Sequence, residues 1–333
     1  MDGMRVVAAP DKLRGTATAA AVAAAIGRAA AAAGWDCDEV AMADGGEGTL
    51  DALGGPNRQT MVTGPLGRPV EAAWRLDGHL AVIEMARAAG LDLVGGADGN
   101  DPVAASTIGV GQLIVAAIDN GARRVIVGLG GSATTDGGLA ALRALHPLGR
   151  LKGIELVAAC DALVGFLDAA SLFAPQKGAT AAQVKLLRRR LERLAQVYLE
   201  EHGVDVLALP GAGAAGGLGG GLAAAGAKVV SGFDLVADEL HLDERLEGAD
   251  LVITAEGFLD EQSFEGKVVG GVAGLAHTLA VPVVAIAGRI YDRMEDRIEA
   301  VSLVERFGEG RALEDTLRCV EEATAGVLAG REA

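Results

Sequence analysis

"MRVVAAPDKLRGTATAAAVAAAIGRAAAAAGWDCDEVAMADGGEGT", residues 4–49, decides the fold reading. Its first seven residues form an apolar run that stops at Pro10, the pattern of a buried strand. "DKLRGT" is a charged loop. The Ala-rich run that follows has Thr near its N-cap and Gly34 past its end, the start and stop signals of a helix. "DEVAMADGGEGT" then supplies a second strand and a second loop of glycines and acids. Strand, helix and strand in this order make a βαβ unit and predict a parallel sheet.

The same pattern returns late in the chain. "ADLVITAEG" (249–257), "VPVVAIAG" (281–288) and "AVSLVERF" (300–307) read as buried strands with helical segments between them. Together with the two N-terminal strands they predict a five-stranded parallel sheet. The middle of the chain reads differently. "QTMVTGPLGRPVEAAWRLDGHLAVIEMA" (59–86) alternates apolar runs with the turn signals Gly64-Pro65 and Asp77-Gly78, which predicts an antiparallel meander. Helix and strand resume in "STIGVGQLIVAAIDNGARRVIVGLGG" (106–131), and further strands are expected at "GIELVAACD" (153–161) and "VDVLALP" (204–210). The expected class is α/β: a Rossmann-like parallel-sheet domain of residues 1–61 and 236–333, with a second, mixed α/β domain of residues 62–235 inserted into it.

Composition narrows the partners. The chain has 333 residues, 49 glycines, only 3% aromatics and a net charge of −16. Such an acidic balance argues against nucleic acid, which needs a basic surface. "KLLRRRLERL" (185–194) reads as an exposed amphipathic helix rather than a binding patch. Three widely spaced cysteines read as free thiols of a reducing compartment. No signal-peptide pattern opens the sequence, and the Ala-rich helix is too short to span a bilayer. The expected location is the cytoplasm, with no membrane partner. A homodimer is the one protein partnership left open.

Ligands of open α/β sheets lie at the carboxyl ends of the strands. Charged glycine loops fall at such ends at Asp11 to Gly15, Asp44 to Gly48 and Glu256 to Asp260. "APDKLRGT" offers Asp11, Lys12 and Arg14. "ADGGEGT" holds Asp44 and Glu47, which suit Mg²⁺ or general-base duty or simply a tight turn. "GLGGSATTDGG" (128–138) places Gly130, Gly131, Ser132 and Thr134 in a loop that fits either a turn or a phosphate cradle, with Asp136 able to hold Mg²⁺. "TAEGFLDEQSFEGK" (254–267) carries Glu256, Asp260 and Lys267. In "FAPQKGAT" (173–180), Lys177 suits an anion contact or a structural loop equally. "PGAGAAGGLGGG" (210–221), with Gly213 and Gly217, fits a linker or a second phosphate loop. No Walker loop, protein-kinase signature or hydrolase elbow is present.

Taken in order, "APDKLRGT", "ADGGEGT", "IEMARAAGLDLV", "STIGVGQLI", "GLGGSATTDGG", "FAPQKGAT", "PGAGAAGGLGGG" and "TAEGFLDEQSFEGK" resemble the glycerate kinase family, the bacterial type with an inserted domain. The resemblance covers nearly the whole chain. It implies ATP-dependent phosphorylation of D-glycerate, to 2-phosphoglycerate, with Mg²⁺, in a cleft between the two domains. Under that resemblance Asp161 or Asp44 accepts the hydroxyl proton. Asp136 and Glu256 hold Mg²⁺ or phosphate water. Ser132, Thr134 and the nearby glycines cradle phosphate. Arg14, Lys177 and Lys267 meet the glycerate carboxylate or the transferring phosphoryl group, and Asp11, Lys12, Glu47 and Asp260 contact substrate. Three departures stand out: Arg14 replaces a Lys, Phe258 replaces an Arg, and "CDALVGF" replaces the usual "NPL" stretch. Phe258 keeps open a kinase of another small hydroxy acid. A non-catalytic ligand sensor and a dehydrogenase are the other readings.

Overall fold

The computed structural model of the chain describes residues 3–161, 163–291, 294 and 296–331. They divide into two compact units: Met1–Asp44, Asp51–Leu53 and Phe233–Ala333 in the first, Gly45–Leu50 and Gly54–Gly232 in the second.

The first unit opens with β1 (Arg5–Ala8), the helix Ala19–Ala32 and β2 (Asp36–Glu39). Alanine has the highest helix propensity, so this run forms a helix at little entropic cost. The Thr18 side chain caps it, accepting the Ala21 N–H at 3.2 Å. Gly34 (φ +79°) then supplies the left-handed residue that ends it. Val22, Ala23, Ile26 and Ala30 are buried, and their small size lets the helix lie close to the sheet.

The second unit carries β3 (Arg58–Thr63), β4 (Pro69–Asp77), β5 (Leu80–Glu84), β6 (Arg124–Gly128), β7 (Glu155–Cys160) and β8 (Lys228–Ser231), in that spatial order. β3, β4 and β5 pair antiparallel, as the meander predicts, while β5 through β8 pair parallel. The sheet is therefore mixed. Residues 54–61, with most of β3, lie in this unit.

The chain returns to the first unit with β9 (Leu251–Leu259), β10 (Val283–Ile290) and β11 (Glu299–Ser302). The order β11-β10-β9-β1-β2 is parallel throughout, the expected five-stranded sheet. Val6 and Ala8 pack into one core and Val7 into another, so both faces are covered.

Two expected elements differ. The run 300–307 is not one strand: Ser302 caps a helix Leu303–Phe307, its side chain accepting the Glu305 N–H at 3.3 Å. Residues 204–210 form turns rather than a strand, and the unforeseen β8 supplies the edge of the sheet. "KLLRRRLERL" lies on the helix Ala181–His202 as read, with Leu187, Leu191 and Leu194 buried and its Arg residues exposed. Cys37, Cys160 and Cys319 form no disulfide among the described residues. No helix among the described residues is long and apolar enough to cross a membrane.

Candidate active site

In the first unit, hydrogen bonds carry the sheet past the strand ends. Ala9 N–H donates to Ile253 O, Asp11 N–H to Ala255 O and Met42 N–H to Pro10 O, each at 2.9 Å. This continuation draws Asp11, Asp44 and Glu256 together at the carboxyl end of the sheet. Asp11 and Asp44 are buried, at 7% and 8% exposure. Burial is the main force that raises the Asp11 carboxyl, and the charges of Asp44 and Glu256 add to it. Lys12 opposes them, its N–H donating to Asp11 Oδ1 at 2.7 Å and its ammonium lying 3.8 Å from the same oxygen. The balance leaves Asp11 at about 7.

Glu256 follows the same logic. Burial lifts its carboxyl, Ser263 and Lys267 pull it back, and Asp260 and Asp44 push it up again. Lys267 Nζ sits 3.6 Å from Glu256 Oε1. The other oxygen, Oε2, is buried and has no hydrogen-bond partner. An orphaned carboxylate oxygen beside like charges suits a hard cation, and Mg²⁺ commonly takes one or two carboxylates with the rest of its shell from phosphate and water. No group of three or more His, Cys, Asp or Glu that could hold a metal occurs among the described residues.

Two further first-unit candidates are Asp260 and Arg14. Asp260 caps the short helix Glu261–Phe264: its Oδ1 accepts the Ser263 N–H at 3.1 Å. Arg14 is exposed, in the turn closed by the Leu13–Ala17 bridge.

The second unit holds a different arrangement. The loop 128–138 is tied down by Leu91 N–H to Gly131 O and Ala133 N–H to Ala89 O, both 2.9 Å. The N–H groups of Gly130 and Gly131 take no part in those bonds. Gly131 has φ +64°, and a Cβ on Gly130 would come within 2.8 Å of the Gly46 Cα, so each needs glycine for a separate reason. Lys177 is 4% exposed and donates to Ser132 Oγ at 2.6 Å and Thr134 O at 2.8 Å. Burial pushes its ammonium down to about 7, with Asp136 resisting. The fully buried Thr134 hydroxyl has no partner.

Asp136 differs from the metal-ligand expectation. Its Oδ2 accepts the Thr107 N–H at 2.9 Å and O–H at 2.8 Å, and its Oδ1 accepts the Gly138 N–H at 3.0 Å. These donors flank the starts of the helices Ile108–Asp119 and Leu139–Ala144. Burial raises its carboxyl while every hydrogen bond lowers it, the balance of an internal cap. Lys177 likewise reads as a tether of the loop rather than a cation offered to substrate.

Gly213 and Gly217 also differ from the cradle expectation. Both N–H groups are already used, to Val164 O and Gly213 O. A Cβ on Gly213 would meet Gly165 O at 2.1 Å, and one on Gly217 would meet the Gly137 Cα at 2.8 Å. These glycines permit backbone to pack on backbone. Asp161 follows β7 but is exposed, so the cost of desolvating a strand-end carboxylate does not apply to it. Glu47 is exposed as well.

The family model described as "Glycerate kinase family" matches residues 6–148 and 146–329. The chain belongs to the glycerate kinase family. A glycerate 2-kinase of Escherichia coli K12 is 40% identical over 329 residues, covering 87% of this chain and 86% of that protein. A glycerate kinase of Halalkalibacterium halodurans is 41% identical over 311 residues, 80% of this chain and 82% of that one. A crystal structure described as a glycerate kinase 2 of Salmonella typhimurium LT2 superposes with a TM-score of 0.83 at 35% identity, over 99% of this chain and 98% of the other.

In this glycerate kinase family member one polar anchor escaped the sequence reading. Glu84, 2% exposed at the end of β5, accepts the N–H groups of Gly48 at 2.8 Å and Leu50 at 3.0 Å, and Arg87 Nε donates to it at 3.1 Å. It holds the "GGEGT" loop from inside. The available signal was an acid between Ile83 and Met85, where a buried strand would otherwise continue.

Proposed function

We propose that the chain transfers a phosphoryl group from ATP, with Mg²⁺, to D-glycerate, giving 2-phosphoglycerate. The observation that carries this reading is the acidic cluster of buried Asp11 and Asp44 with half-buried Glu256, set against Lys12 and Lys267 at the carboxyl ends of a parallel sheet. The name of the Escherichia coli relative supports the 2-position.

Phosphoryl transfer asks a protein mainly for positioning and for charge stabilisation. Asp11 is the group that accepts the proton of the attacking hydroxyl. A base works best with a pKa near the working pH, and Asp11 stands at about 7. Asp44 and Glu256 would hold Mg²⁺, which when bound supplies neutralisation of charge on the phosphoryl oxygens. Lys12 and Lys267 offer positive charge to the glycerate carboxylate and the transferring group. Arg14, exposed beside this cluster's loop, is retained only as a substrate contact.

ADP release is measured with D-glycerate, L-glycerate or no acceptor, with and without EDTA. Release should require D-glycerate, vanish with EDTA and return with excess Mg²⁺. Phosphorus NMR of the product should show phosphate on the 2-hydroxyl. Release that ignores the acceptor, or full activity in EDTA, overturns the reading.

A further inference from the structure

Aromatic residues are scarce in this chain: six Phe, two Trp and two Tyr. Of these only Phe258 and Tyr291 are exposed, at 49% and 60%. They are also in contact with each other, ring centroids 5.6 Å apart and planes tilted by 38°. Trp35, Trp74, Phe166, Tyr198 and Phe233 are buried in the core, and Phe173, Phe264 and Phe307 are half-buried. Two rings left in water contribute little to folding. Their pairing nevertheless creates a continuous apolar face of the kind that stacks on another planar ring.

The position of the pair is informative. Phe258 lies two residues after Glu256 on β9, so the alternation of a strand puts both side chains on the same face of the sheet. Tyr291 follows β10, and its N–H donates to Leu259 O at 3.0 Å, which fixes it beside Phe258. Phe258 therefore lies on the sheet face that carries Glu256, the carboxylate whose second oxygen lacks a partner. They occupy the carboxyl ends of two neighbouring parallel strands, where ligands of such sheets bind. Next to them, Arg289 stands in register with Phe258, its guanidinium 2.8 Å from Glu309.

We propose that Phe258 and Tyr291 form a stacking platform for the purine ring of the nucleotide. This rests on the kinase reading above. Of the reactants in that reading, glycerate has only carbon, hydroxyl and carboxylate groups and no planar ring to stack. The nucleotide has both a ring for the platform and phosphates for the neighbouring acid–lysine cluster. Stacking of a base on an aromatic side chain is sequence-tolerant and depends on ring area rather than on hydrogen bonds. The platform thus contributes affinity for the nucleotide without strict choice of base.

The test compares ADP with inorganic tripolyphosphate, which keeps phosphate charge and lacks the ring. In the double variant Phe258→Ala/Tyr291→Ala, the Kd for ADP should rise about 10- to 100-fold. The Kd for tripolyphosphate and the KM for glycerate should stay within about twofold of wild type, and the melting temperature should not move, since both rings are exposed. Phe258→Trp should keep ADP affinity, and the emission of the introduced indole should be quenched by ADP but not by tripolyphosphate. Equal ADP affinity in wild type and the double variant overturns the platform alone. Weakening of tripolyphosphate by the same factor, or a rise in KM for glycerate with ADP affinity intact, also overturns it, the latter pointing to an acceptor with an apolar group. A wild-type chain that binds no nucleotide overturns the kinase reading and the platform together.

Discussion

Asp11 in the first unit is buried and Asp136 in the second half-buried, and burial raises both carboxyls, yet their surroundings differ in kind. Asp136 is surrounded by donors: the Thr107 N–H and O–H and the Gly138 N–H occupy both oxygens. Asp11 takes one N–H from Lys12, has that residue's ammonium at 3.8 Å, and also faces the like charges of Asp44 and Glu256. The first arrangement fixes a loop. The second sets like charges against one another, and with burial they raise the Asp11 carboxyl to about 7. A shifted pKa therefore does not by itself mark chemistry. The secondary causes decide: hydrogen bonds that complete a group, or charges that leave it strained.

The comparison breaks most sharply at Asp11. Asp11→Asn keeps the shape and removes the proposed base, and kcat should fall by roughly 10²–10⁴-fold. Wild-type kcat/KM should rise with pH through about 7, as Asp11 ionises. Asp161→Asn should leave that limb in place, and loss of the limb in Asp161→Asn instead would move the base to Asp161. Stability should run the other way. The folded carboxyl is raised above the ordinary 3.8, so the folded state binds more protons, and this group's contribution falls as pH rises from about 4 to about 7. Asp11→Asn should accordingly melt higher than wild type at pH 8.

Next in size is Asp136→Asn. The new amide must point a donor at the N–H or O–H donors that now surround the carboxylate. Unfolding free energy should drop by about 2–4 kcal/mol, as for a buried network broken on one side. Urea denaturation measures it, and a change below about 0.5 kcal/mol would show that the loop does not depend on this cap.

A smaller effect separates Lys177 from a surface lysine. Its ammonium is lowered from 10.5 to about 7, so between those values the unfolded state binds more protons and stability rises with pH. Lys177→Met lacks this change, and the stability gap in favour of wild type should widen from pH 7 to 10. A constant gap across that range would mean that Lys177 stays charged in the folded protein.

The smallest expected change is at Arg14. Exposed in its turn, it should tolerate Arg14→Ala with less than about 0.5 kcal/mol of lost stability by urea denaturation. A larger loss would mean that the guanidinium holds the opening loop.

The sequence by itself determined the five-stranded parallel sheet and the meander, because buried runs and turn residues are local signals with fixed periods. It also determined which loops gather acids and glycines. It could not divide those loops by role. Asp136 and Glu256 look alike in a string, each an acid beside glycines, and only the fold reveals that one has its oxygens filled by Thr107 and Gly138 while the other keeps an oxygen unpaired. Gly213 and Gly217 likewise look like a cradle until the packing of backbone against Gly165 and Gly137 accounts for them. The 300–307 run shows the same limit on a short scale: its apolar residues suit strand or helix, although Ser302 and Glu305 carried a capping signal. Glu84, Lys177 and the Phe258–Tyr291 pair depend on partners distant in sequence. Burial and hydrogen-bond completion are properties of the assembled neighbours, so tertiary structure alone decided which charges have their hydrogen bonds filled and which keep an oxygen unpaired or face like charges.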